Sequence, residues 1–145
     1  MPAASEAAGR PRTWRPLGVR IVGITGGVFL FVIFVAVWVL LPESVQEDFD
    51  LFQRITAIVL GIGIASVFWA LLRARVEVSD QGLVVVNGYK RRDFEWAQVI
   101  AVRLPRGAPW AVLDLADGTT CSVMALQGSD GPRAHAGVEA IREHL

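Results

Sequence analysis

The stretch Trp69–Gly82, WALLRARVEVSDQG, contains two hydrophobic periods that no single element can satisfy. Up to Leu72 the residues are apolar without interruption. From Arg75 onward Val76 and Val78 alternate with Arg75 and Glu77, the period of two that marks a half-buried strand. Only Arg73 and Ala74 lie between the two regimes, so a β-domain follows a greasy helix almost directly.

Upstream, Ile55–Leu72 is an uncharged run of 18 residues and Ile21–Leu41 one of 21. At a helical rise of about 1.5 Å per residue, the longer run covers roughly 30 Å, the thickness of a hydrocarbon core. Buried core helices are shorter, with apolar runs of about 10–14 residues, so both runs read as membrane spans. The first exceeds the ~7–15 apolar residues of a cleaved signal peptide, and LPESVQ after it has no small-x-small site. It reads as a retained signal anchor. An apolar fraction of 53% agrees with this division. The expected order is a flexible basic tail over 1–16, spans at 17–41 and 55–72 flanking an acidic loop 42–54, and a domain over 73–145.

Charge orients the hairpin. Arg10, Arg12, Arg15 and Arg20 precede the first span, and Arg73 and Arg75 follow the second. The loop between them carries Glu43, Glu47, Asp48 and Asp50 against Arg54. Arginine is retained on the cytoplasmic side, so both termini are expected in the cytoplasm of a two-span plasma-membrane protein. Trp14, Trp38 and Trp69 fall near the expected interfaces. Gly23 and Gly27 on one helix, and Gly61 and Ala65 on the other, have the four-residue spacing that lets helix backbones approach in lipid. The same small faces suit a homo-oligomer. Neither run contains an ionisable residue, which removes the usual marker of an ion or proton path.

Beyond Arg75, RVEVS, LVVVN, YKRRDFEW, VIAVRL, WAVLDLA and TTCSVMAL form a succession of short strands. Asn87-Gly88 and Asp117-Gly118 are hairpin signals between them. Asp130 and Pro132 suit the start of a helix, and Ala134, Val138, Ile141 and Leu145 recur at helical spacing as its apolar stripe. Trp96 and Trp110 are expected to supply core volume. These elements make a membrane α-helical hairpin plus a small, strongly bent antiparallel sheet closed by a C-terminal helix; the finer expected class, a PH-like domain with a bent antiparallel β-barrel capped by that helix, is what a family resemblance implies.

The PH-like assignment rests on a resemblance. The two spans followed by RVEVSDQGLVVVNGYKRRDFEWAQVIAVRLPRGAPWAVLDLADGTTCSVMAL and a short helix resemble the actinobacterial PH-domain-containing membrane proteins. FEWAQVIAVRLP, the Pro-Trp entry to a strand and the DG turn carry the likeness. It implies a pleckstrin-homology-like fold in a family without an assigned activity. Phosphoinositide binding through a basic first hairpin is not carried over, because the turn Ser79-Asp80-Gln81-Gly82 has an acid and no base.

The residues offer no reaction. Cys121 is the sole cysteine and reads as a small core residue. His135 and His144 are nine apart and point in different directions along a helix. Asp114 and Asp117 flank a turn, and Ser122 has no neighbouring base in the sequence. No catalytic, cofactor-binding or metal site is expected, and a net charge of zero gives no field for nucleic acid. Lys90, Arg91 and Arg92, supplemented by Arg103 and Arg106, are the candidate surface for lipid or a partner. The expected function is a membrane-anchored PH-like adaptor or accessory protein with a protein partner. The alternative is an anionic-lipid module using Lys90, Arg91, Arg92 and Arg106.

Overall fold

A computed structural model describes residues 11–145; Arg10 and the rest of the expected basic tail before it lie outside the described residues. The chain divides into two compact units, one formed by residues 19–72 and the other by 73–145 together with the segment up to Gly18.

The first unit is helical. Helix α1 spans Leu17–Leu40, α2 Glu43–Asp48 and α3 Leu51–Leu72. Helices α1 and α3 are long and apolar enough to cross a membrane, with mean hydropathies of 2.5 and 2.4, and almost none of their surface is covered. A soluble core helix of this length would bury one face, whereas Phe29, Phe31, Phe34, Ile58, Ile62 and Trp69 are exposed. The acidic loop is itself structured. Gln46 donates to the carbonyls of Trp38 and Leu41 (3.1 and 2.9 Å), two of the acceptors that the end of α1 leaves unpaired. Asp50 and Gln53 exchange a reciprocal pair of hydrogen bonds, a capping box that starts α3 four residues before Ile55, where the apolar run begins. The four small residues expected to pack the helices are not equivalent. A Cβ on Gly23 would touch Leu72 and Phe68, whereas one on Gly27 or Gly61 would meet nothing within 4 Å.

The second unit contains seven strands. Strands β2 (Arg75–Ser79), β3 (Gly82–Asn87), β4 (Lys90–Phe94), β5 (Val99–Arg103), β6 (Trp110–Leu115) and β7 (Thr120–Gln127) arise where alternation places them. Strand β1, Arg12–Trp14, falls within the segment expected to be a flexible tail and pairs antiparallel with β2. The tail reading is corrected for these residues. Trp14 supplies the reason: it packs against the core, and its ring lies over Gly137, where a Cβ would come within 3.2–3.3 Å of it. Burying an indole outweighs leaving it at a lipid interface.

The strands form two antiparallel sheets, β1-β2-β3-β4 and β5-β6-β7. Val76, Val78, Leu83 and Val85 of the first face Val102, Leu113, Val123 and Leu126 of the second, all nearly or fully buried. No ladder joins the sheets, so the barrel is not closed. Helix α4, Pro132–Arg142, covers the core with Ala134, Val138 and Ile141, while Leu145, expected on the same stripe, is exposed because the helix has already ended. Trp96 packs against the core and donates its indole N–H to the Ser79 carbonyl (2.9 Å); Trp110 is only half-buried.

Asp130 departs from its expected role. Gly131 is the N-cap of α4 and its positive φ of 52° makes the entry turn. The Asp130 carboxylate instead accepts the N–H groups of Leu17 and Gly18 (2.8 and 3.0 Å), the first residues of α1. It is an N-terminal cap supplied from more than a hundred positions away along the chain. Asp130→Ala is expected to cost about 0.5–2 kcal/mol of stability, read as a lower urea midpoint for the full chain in mild detergent; Asp130→Asn should recover most of the loss.

Candidate functional site at the open mouth of the sheets

The site follows from the direction of side chains on β4. A two-residue loop, Gly88-Tyr89, joins β3 to β4, with Gly88 at a φ of 61°. The turn therefore lies one residue later than the Asn87-Gly88 pair suggests. Asn87 faces Lys90 and Val85 faces Arg92 across the ladder. Lys90 and Arg92 thus share the face of the sheet on which Val85 is buried, and Arg91 and Asp93 share the other.

This placement accounts for the open barrel. To close, β4 would have to bring Lys90 and Arg92 against β7, burying two cations without partners, which costs far more than a strand ladder returns. The sheets remain parted there, and the mouth is a groove of about 170 Å³ lined by Val85, Asn87, Lys90, Arg92, Thr120, Cys121 and Ser122. Asn87 bridges its inner end. Its Nδ2 donates to the Ser122 carbonyl (2.5 Å), and its Oδ1 accepts the Met124 N–H (3.1 Å). These side-chain bonds stand in for the ladder that the two sheets lack.

The five basic residues expected to act together are separated. Arg91 turns to the opposite face and binds Asp93 (2.8 Å); the hydrogen-bonded partner holds the Asp93 carboxyl below the usual carboxylate range and raises Arg91 further. Arg103 pairs with Asp114 on the neighbouring strand β6, and Arg106 is exposed in the loop between β5 and β6. Only Lys90 and Arg92 converge, and neither has an ion-pair partner among the described residues. Asp117, in the turn before β7, accepts both the hydroxyl (2.7 Å) and the N–H (2.9 Å) of Thr119. Those bonds hold its carboxyl below the ordinary range, helped by the field of Arg92.

The remaining candidates take structural places. Cys121 is buried on the inner face of β7. His144 stacks on Trp96 (4.5 Å between centroids) and approaches Asp80 (3.7 Å), while His135 lies one helical turn from the Gly131 carbonyl it contacts. Among the described residues no group of three His, Cys, Asp or Glu side chains gathers as a metal site would require. At the hairpin tip the exposed Tyr89 ring lies 6.0 Å from the guanidinium of Arg73, the first residue after α3. The groove itself was not legible in the sequence. The i, i+2 spacing of Lys90 and Arg92 was the available signal, but Thr120, Ser122 and Asn87 join them only through the packing of two sheets.

Two apolar helices followed by a two-sheet domain with a C-terminal covering helix define a PH-like domain carried behind a helical hairpin. Residues 73–144 match the sequence profile of the family described as bacterial PH domain, and over these residues the chain belongs to that family. Uncharacterized proteins of Mycobacterium bovis and of two strains of Mycobacterium tuberculosis are 38% identical to this chain over 86 residues, 59% of its length. The chain covers 56% of each of these relatives, little more than half. No solved structure matches it.

Replacing Asn87 by Ala leaves the Met124 N–H and the Ser122 carbonyl without their partner at the point where the sheets meet. The expected cost is about 1–3 kcal/mol, measured by urea unfolding of the full chain in detergent through tryptophan fluorescence.

Proposed function

We propose that this protein is a membrane-anchored adaptor or accessory protein whose PH-like domain docks a protein partner at the cytoplasmic face of the membrane. The observation that carries the reading is the connection between α3 and β2. It consists of Arg73 and Ala74 alone, and Ala74 is 4% exposed, so the domain has almost no free linker. At most about 7 Å of chain separates helix from strand. A domain held so closely to a surface gains effective concentration towards everything else held there. The excess of arginine on the flanks of the helices over the acidic loop supports a cytoplasmic domain.

The open edge of β4 supports docking by strand addition. Asn87 and Lys90 flank the two-residue loop and form the hydrogen-bonded pair, so the backbone groups of Arg91 and Asp93 face away from β3. They take no backbone partner among the described residues. Such an edge can accept an extended segment of another protein. A general leaflet patch made from Lys90, Arg91, Arg92 and Arg106 has less support, because Arg91 is paired and points away from Lys90 and Arg92.

The tagged full chain, extracted from native membranes in mild detergent, is expected to retain a dominant partner that disappears when residues 76–145 are deleted. Recovery of only ribosomal and chaperone background with both forms would reject the adaptor reading. Protease added to intact cells should leave the domain uncut and digest it once the cells are permeabilised.

A further inference from the structure

We propose that α1 and α3 hold a phospholipid between them, its phosphodiester on Arg20 and one acyl chain in the cleft that the two helices leave open beyond Gly23. The proposal rests on the reading of these helices as membrane spans. It goes beyond the adaptor reading, whose docking edge on β4 it does not use.

A guanidinium is a permanent cation with five N–H donors. Among the described arginines only Arg20 and Arg75 are not exposed. Arg75 has Glu77 at 2.6 Å. Arg20 has no ion pair among the described residues. Its Nε is shut off from water without a hydrogen-bond partner, the single buried side-chain nitrogen or oxygen so placed among those residues. A cation half removed from water needs an acceptor. The helical unit has no carboxylate near it: its acidic residues begin at Glu43, beyond the far end of the 24 residues of α1. Because Arg20 as a whole is only half-buried, a swing of its long stem brings Nε–H and an Nη–H together onto one group, the bidentate grip that arginine makes with phosphate.

The space beside Arg20 is outlined by the glycines. Gly23, one turn along the same face, is the one buried residue of α1, and a Cβ there would lie 3.4 Å from Leu72 and 3.8 Å from Phe68. Gly27 is a further turn on and faces the same way; Gly61 shares with Ala65, Phe68 and Leu72 the corresponding face of α3. A Cβ at Gly27 or Gly61 would meet nothing within 4 Å. The helices therefore touch at Gly23 and part beyond it. Their far ends are joined again by the α2 connection, where Trp38 and Phe49 meet edge to face at 5.6 Å. Such a gap forfeits its dispersion contacts unless hydrocarbon fills it. The helix of a second copy would fill it too, but it brings no acceptor for Arg20, since Ile21–Leu41 and Ile55–Leu72 contain no ionisable residue. A phospholipid supplies both parts. Its chain follows the cleft, and its phosphate lies at the level where the apolar run begins, directly after Arg20.

The full chain, purified from native membranes in a maltoside detergent, is weighed intact by native mass spectrometry. One phospholipid per chain is expected to stay bound. After stripping with excess detergent, dioleoylphosphatidylglycerol should rebind, whereas dioleoylglycerol, with the same acyl chains and no phosphate, should not. Arg20→Gln is expected to weaken binding of the phospholipid by about tenfold or more. Arg20→Lys, which keeps the charge and loses the fork, should weaken it by less. Gly27→Leu fills the cleft without touching the charge and should displace the lipid as well. Arg15→Gln, at an exposed arginine before α1, should leave binding unchanged. Unaltered helical content by circular dichroism establishes that each variant is folded. Equal binding of dioleoylglycerol, an equal loss in Arg15→Gln, a chain that neither retains nor rebinds phospholipid, or a lipid-free dimer with the cleft taken by a second copy would overturn the proposal. These outcomes leave the adaptor reading standing, because that reading is judged by the partner that copurifies. A chain soluble without detergent would remove the spans and this proposal with them.

Discussion

One face decides this domain. Alternate residues of β2 and β3 bury Val76, Val78, Leu83 and Val85 against Leu113, Val123 and Leu126 of the facing sheet, with Ile141 of α4 beside them. These apolar side chains leave water together, and at about 25 cal/mol per Å² of apolar surface no other interaction in the domain is of comparable size. The rest of the structure adjusts to that layer. Where the buried face stays apolar the sheets touch; where β4 turns Lys90 and Arg92 onto it, they part. The groove is thus a consequence of the same alternation that makes the core, carried two residues further than apolar side chains extend.

A small domain of this kind has little core to draw on, and the structure shows how it gains more from the segment before α1. Strand β1 extends the first sheet, Trp14 settles over Gly137, and Asp130 caps Leu17 and Gly18. Pro16 between them is fully buried. A segment remote in sequence becomes part of the sheet domain, so the compact unit that carries the family's fold is larger than residues 73–144 alone.

The surface charges are organised by strand register. Arg75 meets Glu77 two residues along the same face of β2 (2.6 Å), Arg91 meets Asp93 in the same way on β4, and Arg103 meets Asp114 across a ladder. Each pair is partly or largely exposed, so its contribution to stability is small. Their importance lies in subtraction. Once Arg91 is engaged, Lys90 and Arg92 are the basic side chains of β4 without an ion-pair partner among the described residues.

The elements were largely legible in the sequence because they depend on local pattern. Uncharged length marked α1 and α3, and period-two alternation marked β2 to β7, since both record which side chains a single element turns away from water. Asp130 looked like a cap for the helix that follows it, and its carboxylate does cap a helix, but the partner is α1, chosen by three-dimensional proximity. Arg12–Trp14 carry too few residues for a periodicity to register, and they become a strand only because β2 offers an edge. Lys90, Arg91 and Arg92 are consecutive, and alternation alone sends the middle one to the opposite face; that Lys90 and Arg92 share a groove with Asn87 and the edge of β7 depends on how the two sheets pack. Sequence by itself therefore determined the two long apolar helices, strands β2 to β7 and the covering helix α4, and which faces of these strands and of α4 are buried. The tertiary structure alone decided where the sheets fail to close and which polar groups assemble there, because that depends on contacts between residues some thirty positions apart, as between Asn87 and Ser122.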